Sequence, residues 1–157
     1  MKLTKKIETE IHKLYQAFWN SYLGGDVKTM SSFLDDDFKL IGTTEGEVFH
    51  NKKAVMKYLK ATISQIAGVM TRRNAELKLR LVGESVLIED FFDAYVDLEG
   101  QPTFYGKVRV TSVLKRVRGQ WRFIHQHGSL PDSKADVGET LAADKIREQN
   151  LELREAV

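Results

Sequence analysis

Cysteine is absent from all 157 residues, which excludes a disulfide framework, a thiolate metal site and a cysteine nucleophile. Charge of one sign is scarce as well: 24 basic against 22 acidic residues leave +2, too little to build a nucleic-acid or membrane surface. The short basic clusters Arg72-Arg73 and Lys115-Arg116-Arg118 lie among acids and read as a solvated strand edge and turn. No window approaches the ~20 apolar residues of a membrane span. The charged N-terminus runs into Glu8, Glu10, His12 and Lys13 instead of the apolar run of a leader. A cytoplasmic location, with neither nucleic acid nor membrane as partner, is therefore expected. The chain also lacks a Gly-rich phosphate loop, a Gly-x-Ser-x-Gly elbow and a His-Glu-x-x-His pair, and shows no internal repeat.

What is present suits one ordinary domain with a single core, 42% of the residues being hydrophobic and 29% charged. Residues 4–23 repeat Ile7, Ile11, Leu14, Tyr15, Phe18, Trp19 and Tyr22 at helical spacing, with Thr4 to cap the start and Gly24-Gly25 to stop it. A short helix over 26–34, an acidic turn Asp35-Asp36-Asp37 and an extended segment 38–42 follow. The three aspartates lack the spacing of a calcium loop and read as a solvated turn. After a weak strand Val48-Phe49, Asn51 can cap a helix over 52–67. Then the period changes to two: strands over 76–82, 85–97, 103–117 and 120–129, joined by short turns, predict an antiparallel meander. Helices first and strands after imply an α+β fold, a cone-like curved antiparallel sheet with the N-terminal helices on its concave face and a cavity between them.

On the last strand a two-residue period groups Trp121, Phe123, His125 and His127 on one face, and Arg122, Ile124 and Gln126 on the other. The run Trp-x-x-Ile-His-x-His-x-Ser-x-Pro, from Trp121 to Pro131, resembles the closing strand of the SnoaL-like branch of the nuclear transport factor 2 superfamily. The association domain of calcium/calmodulin-dependent protein kinase carries a similar strand. The order helix, Gly-Asp, short helix, acidic turn, strand resembles the opening half of the same family, although Asn51 stands where relatives commonly have Gly. The resemblance implies a domain over residues 4–131 that pairs as a homodimer through the outer face of its sheet, and a first helix whose Tyr15, Trp19 or Tyr22 can line a ligand cavity. Residues 132–138 read as a linker and 139–157 as an appended helix. In a heptad the latter puts Ala143, Asn150 and Val157 at a and Ile146 and Leu153 at d, the start of a coiled coil or a helix folded back on the body. The pattern runs to the last residue without a stop signal, as expected of a piece of a longer signalling protein.

The residues suited to chemistry are few. His125 and His127, roughly 6 to 7 Å apart along a strand, have the reach to share a metal with Asp90, Asp93 or His50, but the family resemblance implies structural or cavity-lining histidines. No metal and no cofactor are expected. Arg109 and Thr111, an Arg-x-Thr pair resembling the SnoaL-like pattern, would anchor an anionic ligand if they face inward, because an unpaired buried guanidinium is costly. Asp90 interrupts the apolar alternation of Ile88 and Phe92. The resemblance implies an Asp or Asp–His general base in relatives that are isomerases or cyclases, so the candidate catalytic residues are Asp90, His125 and His127. The expected ligand-binding set is Trp19, Tyr22, Phe92, Arg109, His125 and His127, an aromatic wall selecting a partly apolar ligand with an anionic or polar end. Function follows as a non-catalytic small-molecule-binding or sensory and dimerisation domain, the input module of a larger signalling protein. The alternatives are a small isomerase, cyclase or hydrolase and a pure oligomerisation scaffold.

Overall fold

A computed structural model describes residues 2–141 and 143–156. Helix α1 (Lys5–Gly24) begins where the Ile7 N–H donates to Thr4 Oγ1 at 3.2 Å, and it ends at Gly25, whose φ of 78° is left-handed. A side chain at Gly25 is also barred by space, since its Cβ would lie 2.8 Å from that of Ala67. The apolar face of α1 buries Ile7, Ile11, Tyr15, Phe18 and Trp19. Asp26 caps the short α2 (Val27–Ser31), its carboxylate accepting from Thr29 N–H. Helix α3 (Lys52–Thr62) starts from Asn51, which accepts from Ala54 N–H at 2.8 Å, and gives way to a 3₁₀ turn (Ile63–Gln65) before the expected end.

The strands are β1 (Leu34–Ile41), β2 (Val48–Phe49), β3 (Met70–Val82), β4 (Ser85–Leu98), β5 (Gln101–Val117) and β6 (Gln120–Ser129). The acidic triplet belongs to β1 instead of a turn. Leu34 and Phe38 are buried on either side of it while Asp36 and Asp37 stay in water, so the ladder tolerates the charges. Strand order is β2-β1-β6-β5-β4-β3 in one curved, unclosed sheet with the helices on its concave side. The meander β3 to β6 is antiparallel, as read from its tight turns. β1 joins β6 in parallel, which makes the whole sheet mixed. No hairpin links those two strands, so no turn dictated their direction.

Bulges decide which side chains look inward. Between β5 and β6, Val113 lies opposite His125 but Leu114 lies opposite Phe123, so Ile124 has no partner. One extra residue reverses the phase of everything beyond it. Trp121 and Phe123 are buried on the inner face, and the next inner residue is Gln126, bonded to buried Ser112 at 3.1 Å. A second bulge, around Asn74 at φ 55°, interrupts β3 between Arg73 and Glu76.

Helix α4 (Ala143–Glu155) forms within the appended segment and buries none of its side chains. Ile146, Leu151 and Leu153 are exposed, so the folded-back alternative does not hold, while Val157 lies outside the described residues. Among the described residues no helix is long and apolar enough to cross a membrane.

Candidate functional site

Asp90 is the one carboxylate the inner face of β4 holds in full burial, with 0% exposure between Ile88 and Phe92. Two donors converge on its Oδ2: the Tyr15 hydroxyl at 2.7 Å and an Arg72 terminal nitrogen at 2.7 Å. Tyr15 comes from the buried stripe of α1, and Arg72 from β3, on the strand edge side of β4. The Arg72 guanidinium carbon sits 5.7 Å from the Tyr15 ring, 5.2 Å from Trp19 and 5.1 Å from Phe92, so the cation is boxed by aromatic faces as well as ion-paired. Trp19 in turn meets Phe92 edge-on at 5.1 Å and Tyr22 at 5.8 Å. The expectation that Arg72 is solvated is thus overturned. Its side chain is 9% exposed because Asp90, 18 residues away in sequence, supplies the compensating charge.

Electrostatics keep the two phenols as donors. Burial, reinforced by the Asp90 charge, raises Tyr15 well above the ordinary phenol range. Burial pushes Tyr22 up to about 12, with Tyr58 and the Glu47 carboxylate adding to it. Around this cluster two buried polar atoms, Asp90 Oδ1 and Arg72 Nε, have no hydrogen-bond partner, while the Trp19 indole N–H lies against the Tyr15 hydroxyl oxygen. All belong to side chains in mutual contact.

The structure sorts the expected residues into two groups. Trp19, Tyr22, Phe92 and Asp90 come together on the inner side. Arg109, His125 and His127 do not. Arg109 is exposed on the outer face, opposite Phe91, donating through Nε to Ser129 Oγ at 3.2 Å; buried Val108 and Val110 take the inward positions beside it. Thr111 shares that outward direction. The bulge at Ile124 turns His125 and His127 outward and puts Gln126 in their place, which also separates His127 from Asp90. Partial burial lowers the basicity of His125, with the neighbouring His127 and Lys39 acting in the same direction. Asp93 is likewise outward, held by Asn74 at 2.9 Å and by Lys107 at 3.5 Å. Beside it, Phe91, Lys107 and Arg109 line an open groove of about 380 Å³. Among the described residues no three of His, Asp and Glu converge closely enough to hold a metal ion.

Sequence reasoning missed Arg72 and gave Tyr15 no partner. A signal did exist: an aspartate interrupting an apolar strand face calls for a cation or several donors, and Arg72 lies on the adjacent strand of the same meander.

The family model of the SnoaL-like domain matches residues 11–133. Among solved structures, an NTF2-like protein of unknown function from Pseudomonas putida KT2440 is similar at 23% identity and TM-score 0.72, over 89% of this chain and 95% of that one. A protein from Xanthomonas campestris, provisionally described as a calcium/calmodulin-dependent protein kinase II association domain, is similar at 16% identity and TM-score 0.63, over 83% and 91% of the two chains. One from Streptomyces avermitilis, provisionally described as a dehydratase of the NTF2-like family, reaches 15% identity and TM-score 0.65, over 78% and 94%. No curated protein matches the sequence. At these identities the structural likeness carries the fold, and the family match over most of the chain carries membership: the chain belongs to the SnoaL-like domain family.

Proposed function

We propose that this domain is a non-catalytic binding module for a small molecule, with its site on the inner face of the sheet where Tyr15, Trp19, Arg72 and Asp90 meet. The observation that supports it is an ion pair, Arg72 with Asp90, buried among aromatic rings. Asp90 Oδ1 and Arg72 Nε are buried without a partner in the protein. Each such atom costs about 1–3 kcal/mol when left unmet, a cost that a polar ligand group would relieve. The rings of Trp19, Phe92 and Tyr22 around them suit a partly apolar ligand with a polar end. The binding set is therefore Tyr15, Trp19, Tyr22, Arg72, Asp90 and Phe92. Two copies of the chain pair in this reading, since Phe91, Phe104 and Tyr105 stand about half exposed on the sheet and α4 leaves Ile146 and Leu153 uncovered.

The test is an NMR screen of small neutral and charged aromatics against the full chain, read at the Trp19 indole N–H. Compounds that move this signal saturably in the unmodified protein, and fail to do so after Asp90→Asn, support the site. A library in which nothing moves it, or hits indifferent to Asp90→Asn, would sink the proposal.

One observation favours a second reading, general-base catalysis. Asp90 Oδ2 is held by two donors while Oδ1 keeps its lone pairs free, which is how a carboxylate poised to take a proton is arranged. In that reading the Arg72 Nε–H faces the developing oxyanion. Incubating each binder with the protein separates the two: recovery of unchanged compound favours binding alone, and turnover lost in Asp90→Asn favours catalysis.

A further inference from the structure

We propose that the free edge of β3 binds an extended segment of a partner protein in which acidic and apolar residues alternate, the segment joining the sheet as an antiparallel seventh strand. The proposal stands apart from the inner site. The sheet ends in β2 on one side and in β3 on the other, and the two edges differ: β2 is 2 residues long and β3 is 13. An edge of that length presents a row of backbone donors and acceptors to another strand.

The hairpin fixes which residues offer those groups. Val82 and Ser85 flank the two-residue turn Gly83-Glu84, with Gly83 at φ 61°, so their backbones bond to each other. Bonded and non-bonded pairs alternate along an antiparallel ladder, and the register of β3 on β4 is unbroken from the Val82–Ser85 pair to the Glu76–Phe91 pair. Arg80, Lys78 and Glu76 therefore spend their backbone groups on β4, while Leu77, Leu79 and Leu81 turn theirs to the open side. Among the described residues no helix or loop bonds to the backbone of these three leucines.

Side chains set the kind of partner. Leu77, Leu79 and Leu81 face inward, opposite Asp90, Ile88 and Val86, and the core covers them only in part. Lys78 and Arg80 point outward and are exposed. Glu89 stands across from Lys78 on β4, yet among the described residues neither cation enters an ion pair. A strand laid along the open edge meets the leucines in hydrogen-bonded pairs and the two cations in the closer non-bonded pairs, where opposite charge stabilises and like charge repels. Apolar residues thus fit opposite the leucines, acids opposite Lys78 and Arg80, and a base opposite Glu76. A second copy is the wrong occupant, since two β3 strands overlapped across residues 76–82 would set Lys78 against Arg80 at both ends of the overlap.

The experiment uses the full chain and three fluorescein-labelled synthetic peptides. The first, Ser-Val-Glu-Val-Glu-Val-Lys, runs opposite residues 82 to 76 and sets its glutamates at Arg80 and Lys78 and its lysine at Glu76. The second exchanges glutamate and lysine. The third is the first with its valine nitrogens methylated, which removes the donors that the Leu77, Leu79 and Leu81 carbonyls would accept. Fluorescence anisotropy is expected to show the first binding at least about tenfold more tightly than the second, because three charge pairs turn from attraction to repulsion, and the third failing to bind. With the first peptide bound, the Leu77, Leu79 and Leu81 amides should exchange with solvent more slowly, while those of Lys78 and Arg80, already bonded to β4, stay unchanged. The double variant Lys78→Glu with Arg80→Glu should reverse the preference between the first two peptides. No binding of the first peptide up to about 1 mM, equal binding of the first two, or binding that survives methylation would overturn the proposal. So would amide protection that falls elsewhere on the sheet. The peptide ranking and the exchange pattern in the unmodified protein decide the question even if the double variant fails to fold.

Discussion

On the inner face of the sheet Arg72 meets Asp90 at 2.7 Å, with 9% and 0% of the two side chains exposed; on the outer face Lys107 meets Asp93 at 3.5 Å, with 75% and 18% exposed. The residue types are similar and both aspartates stand on β4, three positions apart. Coulomb's law separates them only through the medium. Water screens the outer pair, so it contributes little. The inner pair sits among aromatic rings, where each ion is stable only because the other is present. A charge pair on this sheet therefore marks a candidate site by its surroundings, and the same contact outside marks little.

The largest expected break in that contrast is Arg72→Met, which strands Asp90 and should destabilise the fold by about 3–5 kcal/mol. Arg109→Met, on the outer face, should stay within about 0.5 kcal/mol. Urea unfolding of the two variants checks this, and equal losses would mean that the faces do not differ as described. Tyr15→Phe comes next. It removes a hydrogen bond to a buried carboxylate and should cost about 1.5–3 kcal/mol, with a correspondingly lower urea midpoint.

Alkaline pH sharpens the comparison without mutation. The Tyr22 phenol is raised from 10.0 to about 12 in the folded state by burial, then by Tyr58 and Glu47. A raised folded pKa means its contribution is complete below pH 10 and is lost as the pH climbs from about 10 to about 12, on the order of 2 kcal/mol. Tyr22→Phe should flatten that part of the stability profile; a profile unchanged by the substitution would show that Tyr22 is not buried against these groups. On the outer face the sign and the size both differ. His125 is depressed below 6.5, by burial first, so its contribution is present above that pH and fades below it. Being largely solvated, His125 should yield a smaller effect, read as the difference between the unmodified protein and His125→Asn in unfolding at pH 5 and pH 8.

The smallest effect belongs to the tail. Removing residues 139–157 should change the unfolding free energy of the body by no more than about 0.5 kcal/mol, because α4 buries no side chain. If the full chain scatters as the proposed dimer, a mass that falls to monomer on the same truncation would place the pairing contact in α4 and one that stays dimeric would place it on the sheet, whereas a monomeric full chain would remove the pairing.

Much of the architecture was legible because it depends on neighbours in sequence. Thr4 and Asn51 cap α1 and α3 as their positions foretold, and the buried stripe of α1 follows the helical period. Asp90 could be read as inward from its place between Ile88 and Phe92, since nothing interrupts the alternation of β4 there. The closing strand was legible as a strand and illegible as a face. Its adjacent apolar pair, Phe123 and Ile124, is the only local trace of the bulge, and a strand's period predicts orientation only while every residue has a partner.

By itself, then, the sequence determined the α+β order of elements, the single core, the family and the presence of a buried carboxylate on the inner face of β4. Only the tertiary structure decided what that carboxylate meets. Arg72 and Tyr15 lie 18 and 75 residues from Asp90, and β1 takes its parallel place beside β6 with no turn to announce it. Caps and periods are short-range properties set by each residue's own backbone. Charge compensation inside a low-dielectric core, and the phase of a strand beyond a bulge, depend on which distant side chains the folded chain brings within reach.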